Sequence, residues 1–492
     1  MTFLKGDPFS PALDRPLYQQ LYAHMRAAIL SGQLKGGLKL PSTRALAGEL
    51  NVSRNTVLSA YEQLIAEGYL ESVEGSGTFV ARALPEQYLA APARRRAAHV
   101  PAAKRDPLPL SRHAALQLEA ARSPGVLPPA ELDAPRPFRG GIPALDAFPL
   151  KLWSRLLVRH ARPISSRSLS YQGAAGYRPL REAIATYTVV SRGVRCTPDQ
   201  VIVVNGFQGA LDLSARALLN AGDEVWMEDP GYPSARVSLL GVGARIVAVP
   251  IDGEGLQVSE GMARAPQARL AYVTPAHQFP LGVTLSLARR LKLLEWARHS
   301  GAYIAEDDYD SEYRFTGHPL AALQGLDEAE RVLYIGTFSK VLFPALRLGY
   351  LIVPPSLVDP FLSIRRHVDV HPPLLEQRAL TDFIAEGHFT RHLRRMRTLY
   401  AERRAALIEA TLDLPLEIES PEAGIHCIGW LPAGQSGRAV ARRARDADLD
   451  LSPLADYCLE PAEREGVLLG YGAYSAAEIR AAARRLATVL RA

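Results

Sequence analysis

Cysteine is scarce: Cys196, Cys427 and Cys458 are the three in 492 residues, far apart and without metal-ligand spacing. A disulfide framework and a zinc site are thereby excluded as organising devices, and the three thiols are expected to be buried. No uninterrupted apolar run reaches the ~18 residues that a membrane span needs. The opening stretch MTFLKGDPFSPALDRPLY has no apolar leader core. A soluble, cytoplasmic protein is expected. Neither charge is in large excess, since 57 basic and 51 acidic side chains leave a net +6. Such a balance suits contact with phosphate without requiring it.

What is present is ordinary globular composition, 48% hydrophobic and 22% charged, in a chain long enough for about two to four domains. Residues 83–110 mix Pro and Ala with the basic clusters Arg94-Arg95-Arg96 and Lys104-Arg105 and show no sustained periodicity, which reads as a linker. It divides a small unit, residues 12–82, from a large one, residues 111–492.

In the small unit Leu17, Leu21, Met25, Ala28 and Ile29 fall at helical spacing after Pro16, and a second helix opens after Pro41 and ends at Asn51-Val52. Ser53 then reads as an N-cap for a third helix whose apolar stripe is Val57, Ala60, Tyr61, Leu64 and Ile65, stopping at Gly68. That stripe leaves Arg54, Asn55 and Thr56 at an exposed helix start, the place from which a recognition helix reaches base edges and phosphates. GYLESVEGSGTFVA follows as a hairpin whose tip, Glu74 to Gly77, carries two glycines, and this is a wing. The stretch LPSTRALAGELNVSRNTVLSAYEQLIAEGYLESVEGSGTFV resembles the winged helix-turn-helix of the GntR family of bacterial regulators. The resemblance implies DNA contacts by Arg44, Ser53, Arg54, Asn55, Thr56 and Gly77.

In the large unit, apolar runs such as QVIVVNG, DEVWMEDPGY, LAYVTPA, AYIAEDD, VLYIGTFSK and LGYLIVP alternate with helical stretches such as SLARRLKLLEWARHSG. That is the pattern of an α/β domain with a mostly parallel sheet covered on both faces, whose sites collect at the carboxyl ends of strands. Several polar groups fall there. Gly206, Phe207 and Gln208 open a helix and present backbone N–H groups to a phosphate. Tyr232 follows a Pro-Gly turn, His277 and Gln278 are donors suited to a phenolic oxygen, and Asp307 ends a strand with Tyr309 two residues on. Thr337 and Ser339 add hydroxyls before Lys340, and Arg347 is placed to clamp phosphate. A lysine that forms a Schiff base with pyridoxal 5'-phosphate needs such a set around it: a carboxylate for the ring nitrogen, a phenolate donor, an aromatic ring and a phosphate cup.

Residues 111–492 resemble a fold type I aminotransferase, and with the winged helix the whole chain is similar to the MocR subfamily of GntR regulators, whose wordings HQFP, EDDYDSEY and GTFSK it carries. The resemblance implies a pyridoxal-phosphate-dependent transcriptional regulator that binds promoter DNA and senses a ligand, an amine, an amino acid or the cofactor itself, through an aldimine at Lys340. It implies a homodimer, domain-swapped and head-to-tail in one arrangement, in which Tyr171 reaches the phosphate of the opposite subunit. One departure bears on the ligand: Asp456 stands where some relatives place an arginine for a substrate carboxylate. An acid there repels a carboxylate unless Arg236 or another cation compensates. The alternative is an active aminotransferase with an accessory DNA-binding domain.

Overall fold

The structure, a computed structural model, describes residue 9 and residues 15–84, 110–123, 125–126, 136–162, 165–315, 320–419 and 422–491. It divides into two compact units, Met1–Leu108 and Pro109–Ala492. Most of the expected linker, residues 85–109, lies outside the described residues.

The first unit holds three helices, α1 (Leu17–Leu30), α2 (Thr43–Leu50) and α3 (Arg54–Ala66), and the hairpin β1 (Leu70–Val73) and β2 (Gly77–Val80). Its core is Leu21, Met25, Ile29, Leu46, Val57, Ala60 and Leu64, all buried. Burying each such aliphatic side chain contributes roughly 1.5–3 kcal/mol. Leu17 and Ile65 continue their stripes in sequence but end outside the core, 48% and 36% exposed, because each sits at the edge of its helix face. Ser42 caps α2 by accepting from the Ala45 N–H at 3.2 Å, and Ser53 caps α3 by accepting from the Thr56 N–H at 3.1 Å. Asn51 takes the left-handed conformation that ends α2, φ 53°, so the turn between α2 and α3 is tight.

The second unit is built on an eight-stranded sheet. Its strands are β3 (Val201–Val204), β4 (Glu224–Asp229), β5 (Arg245–Asp252), β6 (Gly255–Leu256), β7 (Leu270–Val273), β8 (Tyr303–Asp308), β9 (Val332–Thr337) and β10 (Gly349–Ile352). They lie in the order β3-β10-β9-β8-β7-β4-β5-β6. β4 pairs in parallel with β5 and β7, and β8 with β7 and β9. β10 runs antiparallel to both β3 and β9, although its sequence, LGYLI, is as continuously apolar as its neighbours. The reason lies in the connection: residues 338–348 carry one 3-10 turn, Pro344–Leu346, and no crossover helix, so the chain can only double back.

The strands β3, β4, β7, β8 and β9 deliver their carboxyl ends to one edge of the sheet, where the helix Gly206–Leu218 also begins. A second, four-stranded antiparallel sheet comprises β11 (Glu417–Ile418), β12 (His426–Trp430), β13 (Ser452–Pro453) and β14 (Gly466–Gly470) in the order β11-β12-β14-β13. Of the three thiols only Cys427 is fully buried; Cys196 and Cys458 keep partial exposure at the margins of their packing. Among the described residues no helix is long and apolar enough to cross a membrane.

Candidate functional site

In the first unit Arg44, Ser53, Arg54 and Asn55 are exposed and Thr56 is half-buried. The Arg54 Nε donates to Thr43 Oγ1 at 3.4 Å, which ties the start of α3 to the start of α2 and holds both on one face. Ser53 spends its hydroxyl on the cap and on Thr56 Oγ1 at 2.9 Å. Its part on this face is therefore to fix the helix start. At the wing, Gly77 has φ 113°, open to glycine and strained for other residues, and a Cβ there would lie 3.1 Å from Lys39 Cε. Lys39 in turn lies over the Phe79 ring at 5.8 Å, adding a cation beside the wing.

The second site gathers at the carboxyl edge of the large sheet. Lys340, partly buried, donates from Nζ to the Gly141 carbonyl at 2.6 Å. Burial lowers its pKa, and Asp310 and Asp307 oppose that shift. A lysine in this state loses its proton more readily than one in water, which is what a nucleophilic amine requires. Gly141 holds a left-handed backbone, φ 76°, that favours glycine, and a Cβ there would stand 2.9 Å from the Lys340 amine.

Asp307, at the end of β8, is buried; its Oδ2 accepts from the Tyr272 hydroxyl at 2.7 Å, and its Oδ1 has no partner. Burial pushes its carboxyl up to about 8, with the Tyr272 hydroxyl pulling down and Asp308, Asp310 and Glu228 pushing further up. A buried acid with one oxygen unmatched is a costly arrangement that an N–H donor would relieve.

Across the cleft, the helix Gly206–Leu218 starts without a side-chain cap, and Asn205 turns its amide nitrogen to Asp369 at 2.7 Å. Its first N–H groups lack intrahelical acceptors and face outward. Arg347 closes over this end: its Nη2 donates to the Asn205 carbonyl at 3.1 Å, and a Cβ on Gly206 would meet the guanidinium at 3.2 Å. Arg347 holds a left-handed backbone, φ 52°. Gln208 accepts from the Ser238 hydroxyl at 2.6 Å, and Phe207 packs edge-on to Tyr232 at 5.7 Å between ring centres. Burial raises the Tyr232 pKa, with Asp307 adding and Arg347 subtracting, which places that ring among the anionic and cationic ends of the cleft. Thr337 Oγ1 accepts from the Ser339 N–H at 3.1 Å and shapes the turn into Lys340.

His277 and Gln278, neighbours in sequence, diverge. His277 is buried with Nδ1 2.9 Å from Asp310 Oδ1 and 3.0 Å from the Tyr309 hydroxyl. Gln278 does not serve as a free donor: its amide nitrogen is spent on Glu228 at 3.2 Å and on the carbonyls of Pro230 and Phe279 at 2.9 and 2.6 Å. Its oxygen accepts from the Leu281 N–H. It braces two loops against each other, with both ends of its amide engaged.

Tyr171 is not joined to this cluster; it is 84% exposed, with its ring 6.5 Å from His371. Asp456 turns to Arg438, whose Nε donates to it at 3.2 Å, so its charge is met inside its own subdomain. Arg236 is partly buried, which lowers its pKa against the opposing pull of Asp229.

Four residues of the cluster carried no sequence signal strong enough to name them: Tyr272, Asp310, Gly141 and His426. Tyr272 and His426 sit inside apolar strands and look like core. His426 on β12 is buried, with ring centres 5.3 Å from both His277 and Phe279. Burial holds its imidazole well below its usual pKa, and His277 and Lys340 push it the same way.

A fold type I aminotransferase scaffold and a GntR-type winged helix define this class of protein, and comparison with known proteins agrees. Residues 158–446 match the family Aminotransferase class I and II, and residues 17–80 match Bacterial regulatory proteins, gntR family. Over 461 residues the chain is 42% identical to the probable rhizopine catabolism regulatory protein MocR of Rhizobium meliloti, covering 93% of this chain and 90% of that one. It is 32% identical to the HTH-type transcriptional regulator TauR of Rhodobacter capsulatus, covering 98% of each. Among solved structures it is similar to LysN, an alpha-aminoadipate aminotransferase of Thermus thermophilus complexed with N-(5'-phosphopyridoxyl)-L-leucine. That match has a TM-score of 0.69 and 28% identity, and covers 78% of this chain and 98% of that one. The chain belongs to the MocR-type GntR regulators, and it is a helix-turn-helix transcriptional regulator with an aminotransferase domain.

Proposed function

We propose that the protein binds promoter DNA through residues 12–82, with Arg44, Arg54, Asn55 and Thr56 at bases and phosphates and Gly77 at the wing. Residues 83–110 link this unit to residues 111–492, which bind pyridoxal 5'-phosphate and a ligand that alters the state of the regulator. The setting is the cytoplasm and the working form a homodimer, for which the strongly exposed Tyr171 is the residue that reaches the neighbouring subunit's cleft.

The observation that carries the cofactor reading is the unmatched, buried Asp307 Oδ1 in the same cleft as a lysine of lowered pKa. When bound, pyridoxal phosphate supplies an aldehyde that condenses reversibly with an amine and a pyridine ring that withdraws electrons. Lys340 provides the amine. Asp307 accepts the ring N–H and, by doing so, stays ionised. Tyr232 would lie against the ring, the Gly206–Gln208 N–H groups, Thr337, Ser339 and Arg347 would hold the phosphate, and Tyr309 would donate to the phenolic oxygen.

The sensed ligand is an amine or the cofactor itself. Asp456 does not face that ligand as a bare negative charge, because Arg438 meets it; it equally offers no cation to a carboxylate. Ligand binding acts on DNA affinity only through a difference in affinity between two states of the protein. Full-length protein reconstituted with the cofactor is expected to absorb in the visible, and Lys340→Ala to abolish that absorbance. A colourless reconstituted wild type refutes the reading. The second reading, a working aminotransferase, is favoured by the intact Asp307–Tyr309–Lys340 set; steady transamination undiminished by deleting residues 1–82 would establish it.

A further inference from the structure

We infer that His277 and Asp310 act on the cofactor's phenolic oxygen through Tyr309, as a buried hydrogen-bonded chain Asp310–His277–Tyr309 that keeps the tyrosine hydroxyl pointed outward as a donor. This rests on the reading of the cleft as a pyridoxal phosphate site, and it gives His277 a different part from direct contact with that oxygen.

The proton inventory leads there. Asp310 is buried, and both its oxygens face the same ring nitrogen, His277 Nδ1, at 2.9 and 3.1 Å. An acceptor-only carboxylate so placed selects the tautomer that carries hydrogen on Nδ1. The Tyr309 hydroxyl lies 3.0 Å from that same nitrogen. With Nδ1 protonated and its hydrogen given to Asp310, that nitrogen cannot accept from Tyr309, so the tyrosine's own hydrogen has to point elsewhere. The other imidazole nitrogen, Nε2, is buried without a partner, as suits the bare nitrogen of a neutral ring, and lies where a Cβ on Gly282 would come within 3.2 Å. Burial and the surrounding carboxylates hold the Tyr309 pKa far above its usual value, so the hydroxyl keeps its proton.

The surroundings are shaped for this pair. Gly424, φ 86°, passes so close that a Cβ there would lie 2.2 Å from His277 Cε1 and 2.9 Å from Asp310 Oδ2. No other residue type fits. The titratable groups that face Tyr309 are His277, Asp307, Asp308 and Asp310, Glu228 from β4, and His426 from β12, whose ring lies 6.4 Å from its own. His426 faces His277 from β12 and is neutral, while Lys340 faces both Asp310 and His426. His277 and Asp310 are thus positioning residues.

The test is a spectrophotometric pH titration of full-length protein loaded with pyridoxal phosphate. An outside donor to the phenolic oxygen favours the less protonated form of the chromophore, so weakening it raises the pH midpoint of the visible band. Asp310→Asn and His277→Gln are each expected to raise the midpoint by about half a unit to one unit. Tyr309→Phe should raise it at least as far, and Asp310→Asn added to Tyr309→Phe should add nothing. An equal shift from Asp310→Asn with and without Tyr309 overturns the chain, as does an unmoved midpoint in both Asp310→Asn and His277→Gln. A loaded wild type with no visible band overturns instead the cofactor reading beneath it.

Discussion

The two units keep their chemistry in opposite places. In the winged helix the side chains proposed for DNA contact lie outside the core: Arg44, Arg54 and Asn55 are exposed, while Leu21, Met25 and Leu64 are fully buried. In the aminotransferase unit the groups of the cleft are inside, and Asp307 keeps an unmatched oxygen there. Function on a surface leaves stability alone. Function in an interior is coupled to it, because the groups that await a ligand are desolvated whether or not the ligand is there.

That contrast can be broken most decisively at Lys340. Lys340→Ala is expected to remove all cofactor absorbance while leaving operator affinity within a few-fold, measured by absorbance and by gel shift of the same preparation. Next in size is the pH dependence of stability without cofactor. Asp307 titrates near 8 in the folded protein against about 4 when unfolded, so the folded state binds the extra proton between those values. Its contribution is fully present below pH ~4 and is lost as pH rises to about 8. Asp307→Asn should therefore gain on wild type, by a few kcal/mol at most, as denaturant titrations move from acid to pH ~8. Glu228 and Glu306, each pushed up to about 7 by burial, slope the same way and remain in the variant. The distinguishing interval is the last unit below 8.

On the surface side, Arg54→Ala and Arg44→Ala should each cost on the order of 1–3 kcal/mol in promoter affinity and reduce the salt slope of binding by about one. Neither should move the cofactor spectrum, and the thermal midpoint should stay in Arg44→Ala and fall only slightly in Arg54→Ala, which loses the long, exposed contact to Thr43. If either moves that spectrum, the separation of surface from interior fails. The smallest effect belongs to Ser53→Ala, which should cost about 1 kcal/mol of stability through loss of the α3 cap, read by denaturant unfolding. Its effect on DNA affinity should be secondary, following the helix start and not a lost contact.

The same contrast explains what was legible in the sequence. The winged helix was readable almost residue by residue, since caps, stripes and glycine turns are local and each leaves its mark within four positions. Ser53 and Gly77 illustrate this. The strand ends of the large unit were readable as motifs, and Asp307, Tyr309 and Lys340 do meet at one edge. What sequence could not convey was partnership over distance. Asp456 reads as an isolated acid until Arg438 from another element meets it. Gln278 reads as a donor until Glu228 and two carbonyls occupy it. The reversal of β10 depends on the length of a loop, since its own residues are those of a parallel strand. His426 is a lone histidine on an apolar strand and looks like core until Lys340 and His277 stand beside it.

The unmatched Asp307 oxygen has a consequence for how long each copy of the regulator persists. Copies without cofactor would leave that buried oxygen uncompensated and, being less stable, would populate the unfolded state more often, where cellular proteases act. Turnover would then fall hardest on unloaded molecules, and the standing pool of regulator would track the supply of cofactor even before any ligand is sensed.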